Sequence, residues 1–298
     1  MMPTRGRVVA LAASLATWLI PRRLGYALVD LASLLCYLLA GSYRRAALAN
    51  LSQVLGRPTS DRAVRRAARA CFITSGRNFW DLCSLPHYRP EHLLRYTDVA
   101  PDAWPTLLNA IDDRRGVIVV TGHVGAFDTG GQLMVLLPTR PLILTASTTV
   151  DWLFETVTHL RTSWGNMVEP ATAGSLRRVI AHLRRGGLVG LAADRDIAKN
   201  GHPVSLFGRQ TTLPVGPVRL ALATGAPMVA IFCPRVGDRY VFQAEPVPIE
   251  RTGNFERDLD YNLRVLASVF ERAIQTWPNQ WVVFEPIWPE QSDGRRPS

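Results

Sequence analysis

Val117-Ile118-Val119-Val120-Thr121-Gly122-His123-Val124-Gly125-Ala126-Phe127-Asp128-Thr129-Gly130-Gly131 is the stretch on which the fold turns. Its first five residues are apolar or β-branched, the composition of a buried strand. The run breaks at Thr121-Gly122 and passes through glycine-spaced turn residues into residues 132–137, a helix candidate. A strand therefore feeds a tight turn that carries one histidine and one carboxylate. Open α/β sheets place their chemistry in such turns, at the carboxyl ends of strands.

His123 and Asp128 stand five apart, whereas helix neighbours stand three or four apart. They meet only if His123 lies in the turn and Asp128 in the first helical turn. Gly122 and Gly125 make that geometry cheap, because glycine tolerates unusual dihedrals and close backbone approach. An aspartate bonded to one ring nitrogen would fix the tautomer and leave the other nitrogen as a base. The alternative is a buried, hydrogen-bonded histidine and an aspartate that caps a helix.

Working outward, apolar runs predict strands over 142–147, 166–169, 187–193, 228–233 and 240–245, the last two forming a hairpin around Gly237-Asp238. Periodic segments predict helices over 103–113, 151–164, 175–185, 216–224 and 254–277. This alternation predicts an α/β fold, a mainly parallel central sheet covered by helices. Asp194-Arg195-Asp196 leaves the 187–193 strand at its carboxyl end. Arginine's planar fork suits phosphate or carboxylate, which makes the trio a candidate substrate contact. Alternatively, Arg195 bridges the two aspartates structurally.

Toward the amino terminus, helices are expected over 44–55 and, capped by Ser60, over 61–82. Phe79-Trp80 reads as core. Residues 86–105 read as a surface loop, with His87 and His92 as surface or capping residues. Residues 8–20 are apolar but shorter than the ~20 residues a span requires. Pro21-Arg22-Arg23 follows them where a signal peptide would have small residues, so the stretch reads as retained. Residues 24–43 are long enough to span. Arginine pairs flank both ends, however, so the positive-inside rule gives no orientation. Two helices lying in the inner leaflet are expected, with a single span or plain packing on the core as alternatives. The chain thus divides into a membrane-associating helical segment (1–43), a catalytic α/β domain (44–291) and a disordered basic tail (292–298).

The 298-residue chain carries a net charge of +10, and Lys199 is its only lysine. A basic surface can meet nucleic acid, an anionic membrane or an anionic substrate. No zinc spacing, stacking aromatic motif or separate basic helix points to nucleic acid. An apolar and basic amino terminus points instead to an anionic bilayer. Cys36, Cys71, Cys83 and Cys233 are scattered without a C-x2-C pair, and read as reduced core residues rather than a metal or redox site.

The His-x4-Asp pair resembles the motif of the lysophospholipid and glycerolipid acyltransferase superfamily. More narrowly, the chain resembles the HtrB/LpxL-type lipid acyltransferases, which include enzymes that acylate lipid A or phosphatidylinositol mannosides. The likeness runs from about Arg44 to Trp288 in separated blocks. Besides His123 to Asp128 they are Arg44 to Gly56, Ala193 to Asp196, Leu206-Phe207-Gly208, Gly216 to Pro227 and Trp277-Pro278-Asn279-Gln280-Trp281. Asp194-Arg195-Asp196 is closer to the mannoside acyltransferases than to the lipid A enzymes, which commonly have Asp-Gln there. Leu206 replaces the first aromatic of a Phe-Phe-Gly block. Phe284-Glu285-Pro286 stand where relatives often carry His and Arg, which removes any inherited role for that segment.

The resemblance implies transfer of a fatty acyl group from acyl-CoA or acyl carrier protein to a lipid or glycolipid hydroxyl. A phosphatidylinositol mannoside-like acceptor is favoured over lipid A. His123 would be the general base and Asp128 its orienting partner. Backbone N–H groups of the glycine-rich turn, Gly125 among them, would bind the oxyanion. Asp194, Arg195 and Asp196 would contact the acceptor. Neither a metal nor a cofactor is implied, and the site would lie at the cytoplasmic face of the inner membrane. Two other readings are a catalytically inactive lipid-binding protein and an α/β-hydrolase, although His123 occupies the serine position of a hydrolase elbow.

Overall fold

The structure is a computed structural model, and it describes residues 5–145 and 151–288. Four helices come first: α1 (Arg5–Leu19), α2 (Arg22–Leu39), α3 (Gly41–Leu55) and α4 (Arg62–Ser84). After α5 (Pro90–Leu94), β1 (Thr97–Val99) and α6 (Ala103–Asp112), the chain enters the central strand β2 (Val117–Thr121). Then follow α7 (Phe127–Leu133), β3 (Pro141–Thr145), α8 (Asp151–Arg161), β4 (Met167–Pro170), α9 (Ala173–Arg184) and β5 (Leu188–Ala192). A hairpin of β6 (His202–Leu206) and β7 (Arg209–Leu213) precedes α10 (Gly216–Thr224). The chain then forms β8 (Met228–Phe232), β9 (Arg235–Val236), β10 (Arg239–Val247) and α11 (Phe255–Thr276).

The sheet order is β1-β10-β8-β2-β5-β3-β4, with β9 paired to β10. From β8 to β4 every neighbouring pair is parallel, and β10 joins β8 antiparallel. The strand period of two divides the core between the faces. Ile118, Val120 and Val189 pack toward α9, α10 and α11, while Val117, Val119 and Leu188 pack toward α6 and α7. Each such side chain, once buried, contributes roughly 1.5–3 kcal/mol.

Several local expectations are corrected. Asp61, not Ser60, caps α4: its Oδ1 accepts the Ala63 N–H at 2.7 Å. The 86–105 segment holds α5 and β1 rather than a plain loop. His87 is no bystander, because its Nε2 lies 2.8 Å from Ser14 Oγ and ties α1 down. Phe79 is 51% exposed and is not core. Cys71 and Cys233 are buried, whereas Cys36 is exposed on α2. The β6–β7 hairpin was unexpected; it turns at Phe207 and Gly208, both with positive φ. Residues 146 and 147 of the expected second strand and the 292–298 tail lie outside the described residues.

Among the described residues no single helix is long and apolar enough to cross a membrane. Helices α2 and α3 satisfy that test only together, across a 92° bend. α2 packs one face on α4 so closely that a Cβ on Gly25 would lie 2.0 Å from the Trp80 ring. Its other face presents Leu24, Leu28, Leu31, Leu35 and Leu38 to the outside.

Candidate active site

The site forms where β2 and β5 end side by side. These parallel strands run in register, with Thr121 opposite Ala192. Neighbouring strands lie ~4.8 Å apart. Residues two positions beyond each end, His123 and Asp194, are therefore delivered to one another. His123 Nδ1 lies 2.6 Å from Asp194 Oδ1, and the His123 backbone N–H donates to Asp194 Oδ2 at 2.8 Å. The Trp281 indole N–H donates to the same Oδ2 at 2.9 Å. Asp194 is fully buried. Burial alone would raise its carboxyl; the charge of a protonated His123 and these hydrogen bonds outweigh it and draw the pKa down to about 2. With Nδ1 committed to the carboxylate, Nε2 is the ring nitrogen left to face a ligand.

The expected pairing of His123 with Asp128 is thus corrected. Asp128 sits in the first turn of α7, and its Oδ1 accepts from Arg161 Nε of α8 at 2.6 Å. Arg161 Nη1 reaches on to Thr145 Oγ1 at 3.1 Å. The physical reason is strand register: the carboxyl end of β5 brings a carboxylate to Nδ1 directly, while α7 turns Asp128 toward α8.

Nor does Gly125 offer its N–H to a substrate. That N–H donates to the Gln280 carbonyl at 2.9 Å, and the Ala126 N–H to the Cys233 carbonyl at 2.7 Å. The Val282 N–H donates back to the His123 carbonyl at 2.7 Å. What the turn requires of Gly125 is its backbone: φ is +68°, and a Cβ there would lie 2.4 Å from Pro234 Cα. Asn78 of α4 clamps the same residue, donating from Nδ2 to the Gly125 carbonyl at 2.8 Å. Behind Asn78 stands a buried network. Arg235 donates to Asn78 Oδ1 at 2.6 Å and pairs with Asp81, which also accepts from the hydroxyls of Tyr26 and Tyr240 at 2.7 Å each.

The Asp194-Arg195-Asp196 trio is divided. Asp194 is sealed beneath His123 and cannot touch an acceptor. Asp196 braces the hairpin, accepting from the Gly201 N–H at 2.7 Å and the Thr212 hydroxyl at 2.9 Å. Only Arg195 lines the cavity beside His123. It reaches Glu285 at 3.3 Å, and its Nε is buried without a hydrogen-bond partner among the described residues. Arg195 bridges neither aspartate.

That cavity holds about 590 Å³ and is walled mainly by apolar side chains of the sheet, α4, α7 and α8. His123, Asp128, Arg161, Arg195 and Glu285 are its charged or titratable wall residues. A second apolar groove runs between α1, α2 and α4 and shares Ser75, Phe79 and Phe284 with it. Sequence reasoning missed Asn78, Arg161 and Arg235 as parts of the site. Gln280 and Trp281 stood in a recognised block, though without a role.

By fold and site, the protein is of the class that sets a histidine–carboxylate pair at the carboxyl edge of a parallel α/β sheet, beside an apolar cavity. Its sequence matches the bacterial lipid A biosynthesis acyltransferases over residues 6–290, and the chain belongs to that family of enzymes. It is similar to the phosphatidylinositol mannoside acyltransferase of Mycolicibacterium smegmatis, 28% identical over 253 residues covering 83% of this chain and 80% of the relative. It is likewise similar to the phosphatidylinositol mannoside acyltransferase of Mycobacterium tuberculosis, 27% identical over 252 residues covering 83% and 78%.

Proposed function

We propose that this acyltransferase moves a fatty acyl group from acyl-CoA or acyl carrier protein to a hydroxyl of a membrane glycolipid resembling a phosphatidylinositol mannoside. The observation that carries this reading is the His123–Asp194 pair at an apolar cavity large enough for an acyl chain. A thioester is already activated, so no serine or cysteine nucleophile is required. His123 Nε2 takes the proton of the acceptor hydroxyl as its oxygen attacks the thioester carbonyl. Asp194 holds the tautomer and balances the imidazolium. The C–S bond then breaks, and the departing thiolate receives that proton from His123. General-base catalysis contributes ~10²–10⁴-fold; the remainder comes from positioning. Arg195 is the cation best placed to meet the anionic part of a substrate.

The acceptor enters from the bilayer. The exposed leucines of α2, with Leu11, Leu15 and Trp18 of α1, form an apolar outer surface, and the exposed Arg23 and Arg45 supply charge for anionic headgroups. This fits a peripheral protein at the cytoplasmic face of the inner membrane.

The test is transfer from palmitoyl-CoA by purified protein in detergent to phosphatidylinositol mannosides, lysophospholipids and glycerol phosphate. One acceptor class should give product, lost with His123→Ala. Turnover indifferent to His123 would sink the mechanism. Thioester hydrolysis alone, still dependent on His123, would leave the chemistry standing and refute the acceptor.

A further inference from the structure

We infer that Gly131 and Gly190 set the acyl-chain length this enzyme accepts, by keeping the waist of the catalytic cavity free of side chains. The inference rests on the reading that the cavity takes the acyl chain, and it concerns how deep that chain can go.

Strand register gives the cavity a depth scale. Thr121 and Ala192 are paired at the mouth, level with the His123 turn. Two residues down each strand, on the same face, Val119 and Ile143 flank Gly190. A further two residues down, Leu188 pairs with Pro141. All seven line the cavity. At ~3.3 Å per residue, Gly190 lies about 7 Å below the mouth and Leu188 about 13 Å below it. α7 supplies a second wall through residues three apart, which share a helix face. These are Asp128 at the mouth, Gly131 below it and, in the 3-10 turn that continues α7, Met134 deeper still. Floor and wall therefore each carry glycine at the second of three steps, between side chains at the first and third.

Neither glycine is required by the backbone. Neither has the positive φ that demands glycine, and a Cβ built on either meets nothing within 4 Å among the described residues. Gly125 and Gly116 contrast with them, since both have positive φ and would drive a Cβ into backbone atoms. Glycine inside a central strand or a helix weakens the element, and in a strand it often marks close approach of a ligand. The space left at positions 131 and 190 is continuous with the cavity. A chain lying along the floor must pass both positions to reach Leu188 and Met134.

The experiment compares wild type with Gly190→Ala, Gly190→Val and, on the other element, Gly131→Leu, using two readouts. One is displacement of a bound fluorescent fatty acid by saturated fatty acids from octanoic to stearic, which needs no turnover. The other is transfer from the matching acyl-CoA series. Filling the waist should weaken palmitate and stearate displacement at least tenfold while octanoate stays within threefold of wild type, with Gly190→Ala intermediate. Transfer should follow the same profile. Retained octanoate binding certifies folding, and Gly131→Leu tests the same waist without touching the sheet. A parallel loss at every length, or an unchanged profile in both Gly190→Val and Gly131→Leu, overturns the inference. A wild type that shows the length profile in binding but transfers no acyl group would refute the proposed reaction and leave the waist intact.

Discussion

Asp128 stands five residues from His123 and Asp194 seventy-one, yet the distant carboxylate holds the ring. The two occupy different regions. Asp194 lies at the end of β5, buried and bonded by His123 and Trp281. Asp128 lies on the cavity wall, part-exposed and paired with Arg161. One niche poises a histidine; the other aims a guanidinium at the cavity. Sequence separation is thus a poor guide to which carboxylate meets which base, because adjacent parallel strands bring together residues that the chain keeps far apart.

The sharpest way to break this contrast is to neutralise each carboxylate in turn. Asp194→Asn should lower kcat by ~10²–10⁴-fold, as loss of an orienting partner does. Equal effects of Asp194→Asn and Asp128→Asn on kcat would contradict the division of roles.

Removing the support behind the turn should come next. Asp81 and Arg235 are both under 10% exposed, and breaking a buried pair costs ~3–5 kcal/mol. Asp81→Ala should show that loss in urea unfolding. A loss no larger than that of a surface pair would argue against the network as a support.

Asp128→Asn should cost less, ~1.5–3 kcal/mol for its charged hydrogen bond, and should act on KM more than on kcat. Steady-state kinetics that placed the whole effect in kcat would return Asp128 to the histidine.

Acid titration sharpens the contrast further. The Asp194 pKa in the fold is about 2, below its ordinary 3.8. The stabilisation is therefore complete above about pH 4 and lost as pH falls through about 2, an effect of roughly 2 kcal/mol. The Asp194→Asn variant should lack that component of the slope; an unaltered acid limb would place the effect elsewhere.

The smallest effect on stability is expected on the outer face of α2. Leu31→Ser with Leu35→Ser should leave the unfolding midpoint nearly unchanged, since both residues are more than half exposed. Flotation with anionic vesicles should nevertheless fall several-fold. Undiminished flotation would remove α2 from the membrane contact.

Much of the fold was legible because it is periodic. The β-branched run before His123, the alternation of strands and helices after it, and the glycine ends of α3 and α10 follow from local preference. The capping of α4 was misplaced by one residue, since Ser60 and Asp61 are both good caps and only geometry chooses between them. α5, β1 and the β6–β7 hairpin went unread because short elements carry little pattern. In the site, His123 stood out as the histidine of a glycine turn at a strand end.

Local sequence is enough to dictate the strand–turn–helix around His123, the apolar face of α2 and a carboxylate just past β5. Those are consequences of side-chain period and backbone preference within a few residues. Long-range packing, by contrast, sets β5 next to β2 in register, brings Asp194 rather than Asp128 to Nδ1, and makes Asn78, Gln280 and Cys233 hold the turn. These contacts join segments tens to hundreds of residues apart. Their partners are selected by burial and by the need to satisfy polar groups inside the fold, which no local pattern records.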